Sequence, residues 1–191
     1  PTVFLEFQRF SNIVLEEEIK HTQELCMEEL SALEFGYSTD LSTNLWEARH
    51  SLYYAAIASR PGASGAIVTD ACVPLSEFGN VIWETIQDVE TSNVVGPCFG
   101  HLGDGNLHCI LPVCDDDVET GYFMVLQGVQ ERLMDGEIAA KGSITGEHGI
   151  GYEKIPYWSK QYGADSVNTM KVLKHALDPN NVLNPGKVVP S

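Results

Sequence analysis

Apolar and polar positions along the chain fall into blocks that read strand, helix, strand, helix, hairpin, helix. Val3-Phe4-Leu5-Glu6-Phe7 has the composition of a strand. The Glu-rich stretch from about residue 12 to 33 has helical spacing, with Val14, Leu15, Ile19, Leu25 and Leu30 supplying part of a buried stripe. Ser42 is placed to cap a helix holding Trp46 and Arg49. Residues 66–73 predict a second strand, ended by Pro74 and followed by a helix over 76–90. Strands over 94–102 and 107–113 come next. Three aspartates, 115–117, suit a helix N-terminus, and that helix runs to about residue 140. A last helix covers 164–177, with Met170, Leu173 and Leu177 on one face, and Asp178-Pro179 stops it.

This order does not repeat as βαβ units, so a closed parallel sheet is not expected. It predicts an α+β fold, an antiparallel sheet with helices packed on one face. The length of 191 residues suits a single domain over 1–191. No internal repeat or low-complexity stretch marks a second one.

The densest candidate chemistry is His101-Leu102-Gly103-Asp104-Gly105-Asn106-Leu107-His108. Asp-Gly is a strong signal for a two-residue type I′ turn, which needs positive φ at both positions. A turn centred there sets Gly103 opposite Asn106, Leu102 opposite Leu107 and His101 opposite His108. Directly opposed side chains share a face with Cβ atoms roughly 4.5–5.5 Å apart, close enough for two imidazoles to share one metal ion. A glycine-rich turn with two incidental histidines is the equal alternative at this point.

Gly146-Glu147-His148-Gly149-Ile150-Gly151 places a carboxylate beside an imidazole between glycines. In extended backbone, consecutive side chains point opposite ways, so Glu147 and His148 are expected to serve different partners. Glu147 could complete a two-His, one-carboxylate site with an open coordination position. His148 would then face whatever occupies that position.

Charge and composition narrow the function. The formal net charge of −16 disfavours nucleic acid and anionic membrane surfaces, which call for basic patches, and is compatible with steering a basic electron acceptor such as a cytochrome. Five cysteines without a C-x-x-C pair argue against a disulfide scaffold or a cysteine zinc site. No apolar run approaches the ~20 residues that span a bilayer. No targeting segment is recognisable, and no glycine-rich dinucleotide or phosphate motif is present.

The segments His101 to His108, Gly146 to Gly151 and Asn184-Pro185-Gly186-Lys187 resemble the C-terminal domain of FAD-linked oxidases of the vanillyl-alcohol-oxidase type. That group includes D-lactate, glycolate and D-2-hydroxyglutarate dehydrogenases or oxidases. The resemblance covers nearly the whole chain and takes in Phe4-Leu5-Glu6-Phe7. The stretches Trp46 to His50 and Thr69 to Ser76 are most similar to the mitochondrial, cytochrome-linked D-lactate dehydrogenases.

The resemblance implies a ferredoxin-like domain capping the substrate side of a flavin. It also implies a flavin-binding domain upstream, which nothing in these residues matches. The chain is therefore expected to be the metal and substrate half of a two-domain enzyme oxidising a small 2-hydroxy acid, D-lactate first, with D-2-hydroxyglutarate or glycolate as alternatives.

By the same resemblance His101, His108 and Glu147 would ligate a divalent metal. Nitrogen ligands favour zinc, while a mixed nitrogen and oxygen set also suits manganese or iron. His148 would be the general base, with hydride passing to FAD. Arg49 would hold the substrate carboxylate, although a helix-surface ion pair with Glu47 or another acid suits it nearly as well. Asn184 would lie against the flavin. A cytochrome or flavoprotein would accept electrons, in mitochondria for a eukaryotic source and otherwise in cytoplasm. Trp46, Tyr53 and Trp158 are expected as packing residues, and His21, His50 and His175 as helix residues without chemistry. A stand-alone metal-binding or hydrolase module with the same His2Glu set, and a non-catalytic interaction domain, remain the competing classes.

Overall fold

Asn12–Glu24 forms a helix (α1) that continues as a π-helical turn over Leu25–Glu29, yet α1 buries none of its residues. Leu15 and Ile19 are half-buried, whereas Val14, Leu25 and Leu30 are exposed. The expected stripe is therefore not buried among the described residues. The strand expected over residues 3–7 is also not formed, and that segment carries no ladder. The computed structural model describes residues 2–37 and 42–189. They divide into two compact units, 1–52 and 53–191. The first ends with Ser42–His50 (α2); the Ser42 cap expected there lies outside the described side chains.

The second unit contains Leu52–Ala58 (α3) from Tyr53 onward, then Gly65–Val68 (β1), Ala71–Cys72 (β2) and Leu75–Thr91 (α4). Cys98–His101 (β3) and Asn106–Val113 (β4) follow, then Asp117–Thr120 (α5), Tyr122–Ala139 (α6) and Ile155–Leu177 (α7). The helix expected over 115–140 is thus two, parted at Gly121 in left-handed backbone. The last helix starts nine residues earlier than its expected start at 164. It kinks at Gly163, where φ is 78°. Its buried residues are Trp158 and Val167, while Leu173 and Leu177 are exposed. Trp46 and Tyr53, expected to pack, are also exposed.

β4 pairs antiparallel with the other three strands. β1 and β2 keep one register against it, Val68 opposite Ile110 and Ala71 opposite Leu107, so they are one strand interrupted at Thr69-Asp70. On the other side β3 sets Gly100 opposite Leu107. Alternation along β4 then defines two faces. The odd-numbered Cys109 and Leu111 pack with Val89 of α4 and Leu126, Val129 and Leu133 of α6. Leu107 joins Phe78 and Val81 of α4 with Ala71 and Val73. Each buried Val, Leu or Phe among them contributes ~1.5–3 kcal/mol. The even-numbered Asn106, His108 and Ile110 face the opposite side, so the helices hold one face of the sheet and leave the other to the candidate site. This is the expected α+β arrangement.

A third apolar cluster, Met134, Ile144, Ile150, Trp158 and Val167, ties α6 and α7 to the segment between them. Ile144 and Ile150 are buried anchors on either side of Glu147-His148.

Candidate active site at a strand break

The β3–β4 connection differs from the two-residue turn. His101 stands opposite Asn106 and Phe99 opposite His108, so the loop holds four residues, with a 3-10 turn over Leu102–Asp104. Only Gly105 has positive φ, 70°, whereas a type I′ turn needs two such residues in succession. Gly105 is also locked in place: its carbonyl accepts from Val73 N at 2.9 Å, and a Cβ there would lie 2.1 Å from Val73 O. The register is displaced by two residues, which preserves side-chain parity. His101 and His108 therefore still share a face, on a diagonal, with ring centroids 6.4 Å apart.

At the interruption between β1 and β2, Thr69 N donates to Cys109 O at 3.0 Å. The return bond goes from Cys109 N to the Thr69 hydroxyl, at 2.8 Å. The Thr69 carbonyl is thereby freed from the ladder and lies 3.1 Å from His108 Nδ1. A carbonyl can only accept, so Nδ1 carries a proton. Nε2 faces Glu147 Oε1 at 2.8 Å, a hydrogen-bond distance. An imidazole nitrogen and a carboxylate oxygen brought this close can share a proton or turn onto one metal ion. The bond from Nδ1 to a backbone carbonyl is the usual outer support of a ligating histidine. The donor set thus fits a divalent ion.

Asp70 lies opposite His108 in the continued register, its Oδ1 3.8 Å from Nδ1. Its Oδ2 accepts from Thr145 Oγ1 and from the amides of Gly146, Glu147 and His148, all between 2.8 and 3.0 Å. Asn106 Nδ2 donates to Oδ1 at 3.0 Å. Burial alone would push this carboxyl up, but the His148 and Glu147 amides, the Thr145 hydroxyl and the Lys154 ammonium hold it well below the usual carboxylate range.

Three consecutive amides converging on one oxygen cannot belong to extended backbone. The expectation that Glu147 and His148 point apart is accordingly corrected. Both turn toward His108: His148 stacks on its ring, with centroids 5.0 Å apart and planes 12° apart, and His148 Nε2 lies 3.8 Å from Glu147 Oε1. A Cβ on Gly146 would fall 2.4 Å from Asn106 Nδ2, so a side chain is excluded where the turn crosses the sheet.

Among the described residues, Asp70, His108, Glu147 and His148 form one of two tight groups able to surround a cation, the other being Cys114, Asp116 and Asp117. His108 is buried at the floor of the first, while the side chains of Glu147 and His148 are 51% and 47% exposed, so the group opens to solvent. His101 lies outside that tight group, beside the His108 ring. Phe99 meets His108 edge-on at 6.1 Å. Arg49 sits in the last turn of α2, in the first unit. Asn184 opens a turn closed by Lys187 N to Asn184 O, and Val188 N ties the turn to Gly151 O at 2.8 Å, just past His148. Asp70, Thr145 and Lys154 were not anticipated. The available signal was the polar pair Thr69-Asp70 inside an otherwise apolar strand pattern.

The family profile described as FAD linked oxidases, C-terminal domain, matches residues 1–188. A probable mitochondrial D-lactate dehydrogenase of Danio rerio is 40% identical over 191 residues, covering 99% of this chain and 37% of the relative. A mitochondrial D-lactate dehydrogenase (cytochrome) of Kluyveromyces lactis is 33% identical over 193 residues, 98% of this chain and 32% of the relative. The glycolate oxidase subunit GlcD of Bacillus subtilis is 40% identical over 147 residues, 75% and 30% respectively. The chain spans about a third of the length of these relatives.

Proposed function

The chain belongs to the C-terminal domain family of FAD-linked oxidases, and from that premise we propose that it is the substrate and metal half of a D-2-hydroxy acid dehydrogenase acting first on D-lactate. The observation that carries this reading is His108 Nε2 at 2.8 Å from Glu147 Oε1, with the His148 ring stacked on that of His108. Relatives named D-lactate dehydrogenase and glycolate oxidase support a small 2-hydroxy acid as substrate class.

In this reading His101, His108 and Glu147 hold zinc or manganese. When bound, the ion would act as a Lewis acid on the hydroxyl and carboxylate of the substrate, with FAD as hydride acceptor for C2. The chain's own residues supply orientation and proton handling. His108 is fixed by the Thr69 carbonyl and sets the floor. His148 is the general base, a task suited to imidazole near neutral pH; a proton taken up at Nε2 lands beside the Glu147 carboxylate, 3.8 Å away. Arg49 binds the substrate carboxylate through its planar fork, and Asn184 abuts the flavin. The flavin itself is held mainly by a separate domain of the full-length protein, with a cytochrome or flavoprotein as electron acceptor. For a eukaryotic source the compartment is the mitochondrion, as in the names of the D-lactate dehydrogenase relatives. No helix among the described residues is long and apolar enough to cross a membrane.

A second reading exchanges one ligand. The tight grouping of Glu147 and His148 on His108 favours His148 over His101 as the third ligand.

The test is a steady-state panel of D-lactate, glycolate and D-2-hydroxyglutarate on the full-length protein, with its flavin content measured alongside. D-lactate should give the highest kcat/KM on a flavin-loaded protein. A flavin-free protein that oxidises none of the three would overturn the assignment in favour of a metal-binding or hydrolytic module.

A further inference from the structure

We propose that Asp70 is the positioning residue of this site: its carboxylate, seated in the strand break, holds the Glu147-His148 turn over His108 without itself ligating a metal. The proposal rests on the reading of His108, Glu147 and His148 as the working group and assigns how that group is assembled.

The hydrogen-bond arrangement separates holding from ligating. Asp70 Oδ2 takes four donors from residues 145–148, and Oδ1 takes Asn106 Nδ2. The side chain is fully buried, and its Oδ1 approaches His108 at Nδ1, the nitrogen already committed to the Thr69 carbonyl, so Asp70 lies behind the ring. The Lys154 ammonium, also buried, lies 3.5 Å from Oδ2 and balances the charge. Ile144 and Ile150 fix the two ends of the turn by apolar packing, which is non-directional. The orientation of Glu147 and His148 is set by the amides, and Asp70 is the acceptor for all three.

Replacing the carboxylate by an amide leaves the Glu147 and His148 amides at best a neutral acceptor, whereas Gly146 N keeps the Asp70 main-chain carbonyl at 3.1 Å. Bonds to a charged group are stronger than neutral ones. The sequence placement is economical in the same sense: Thr69 and Asp70 are adjacent, and one break in the ladder fixes His108 through the Thr69 carbonyl and the facing turn through the Asp70 carboxylate.

Asp70→Asn decides the matter by amide hydrogen exchange of the full chain, with Co2+ binding as a second readout. Exchange at Glu147 and His148 should accelerate by roughly tenfold to a hundredfold, while the amides of Leu111, Leu126 and Val129 keep their protection. Co2+ affinity should fall by roughly tenfold or more, with a changed d–d absorption band. Unchanged exchange at these two amides overturns the proposal, whatever the metal does. If the wild-type chain takes up no Co2+, the metal reading fails and the exchange result still decides the role of Asp70.

Should Asp70→Asn fail to fold, Thr145→Val and Thr145→Ser carry the test. Valine removes one donor to Oδ2 and the hydroxyl that accepts from Gly149 N, whereas serine retains both. Faster exchange over 146–149 in the valine variant and native exchange in the serine variant is expected. Equal exchange in the two overturns the proposal.

Discussion

His108 and Glu147, 39 residues apart in sequence, bring Nε2 and Oε1 to 2.8 Å, while the other ring nitrogen of His108 is committed to the Thr69 carbonyl. One side chain is buried and the other half exposed. The pair is therefore a fixed donor at the floor and an adjustable one at the rim, the arrangement of a site that admits a ligand from solvent. At that separation the two atoms can share a proton, or both can turn onto a cation.

The first expected outcome is a bound divalent ion. Elemental analysis of protein purified without chelator should find about one metal per chain. The double change His101→Ala with His108→Ala should abolish it. Full occupancy in that double variant would sink the ligand assignment.

The proposed roles of the adjacent pair should separate in the full-length protein. His148→Ala should collapse turnover and leave the metal in place, whereas Glu147→Ala should lose metal and activity together. If His148→Ala strips the metal while His101→Ala does not, the second ligand reading replaces the first.

Much of this site was legible before the fold was known, and the reasons are physical. Asp104-Gly105 announced a hairpin, and parity protected the conclusion drawn from it. A displacement of two residues leaves His101 and His108 on one face, where a displacement of one would have parted them. What escaped was long-range. Nothing local to Glu147-His148 says that its amides are drawn onto a carboxylate 76 to 78 residues away. The strand pattern over 66–73 likewise could not show that a threonine hydroxyl takes over the ladder at Cys109. The failed stripe on α1 has a different cause: spacing predicts which face of a helix is apolar, and whether that face is covered depends on what packs against it.

Glu137, on α6 behind the turn, supplies a pH dependence. Burial pushes its carboxyl up to about 8; the Lys154 ammonium opposes the rise and the Asp70 charge adds to it. The folded value lies above the unfolded one of about 4.3, so the folded chain holds this proton more tightly. The resulting stability is fully present below about pH 4.3 and is lost as pH rises through about 8. Glu137→Gln removes the titration. Thermal melts at about pH 4, 6 and 8 should show the variant gaining on the wild type as pH rises, by up to a few kcal/mol. Parallel curves would show that Glu137 is not held protonated.

Away from the site, Arg60 forks onto the buried Asp117 carboxylate, donates to Pro112 O at 2.8 Å and stacks over the Tyr122 ring. Arg60→Ala should destabilise the second unit by about 3 kcal/mol, because Asp117 is left as a buried charge without its partner. Arg60→Ala with Asp117→Asn should recover part of that loss in denaturant titrations, while metal content stays at the wild-type level in both.

The last expectation concerns the flavin. The sequence holds no glycine-rich loop at a helix start to bind a pyrophosphate, and Asn184, in an exposed turn, offers a single amide to a ring system. Around that turn Leu177 is 83%, Val182 71% and Leu183 62% exposed, apolar side chains of the kind that a partner surface covers. This 191-residue chain expressed alone should therefore be colourless and should not oxidise D-lactate, even with metal bound. Supplying the flavin-binding part of the full-length protein should give a yellow complex, and Leu177→Asp with Leu183→Asp should weaken that assembly without touching metal content. A flavin absorption band that stays with the isolated chain through gel filtration would place the cofactor site within these residues instead.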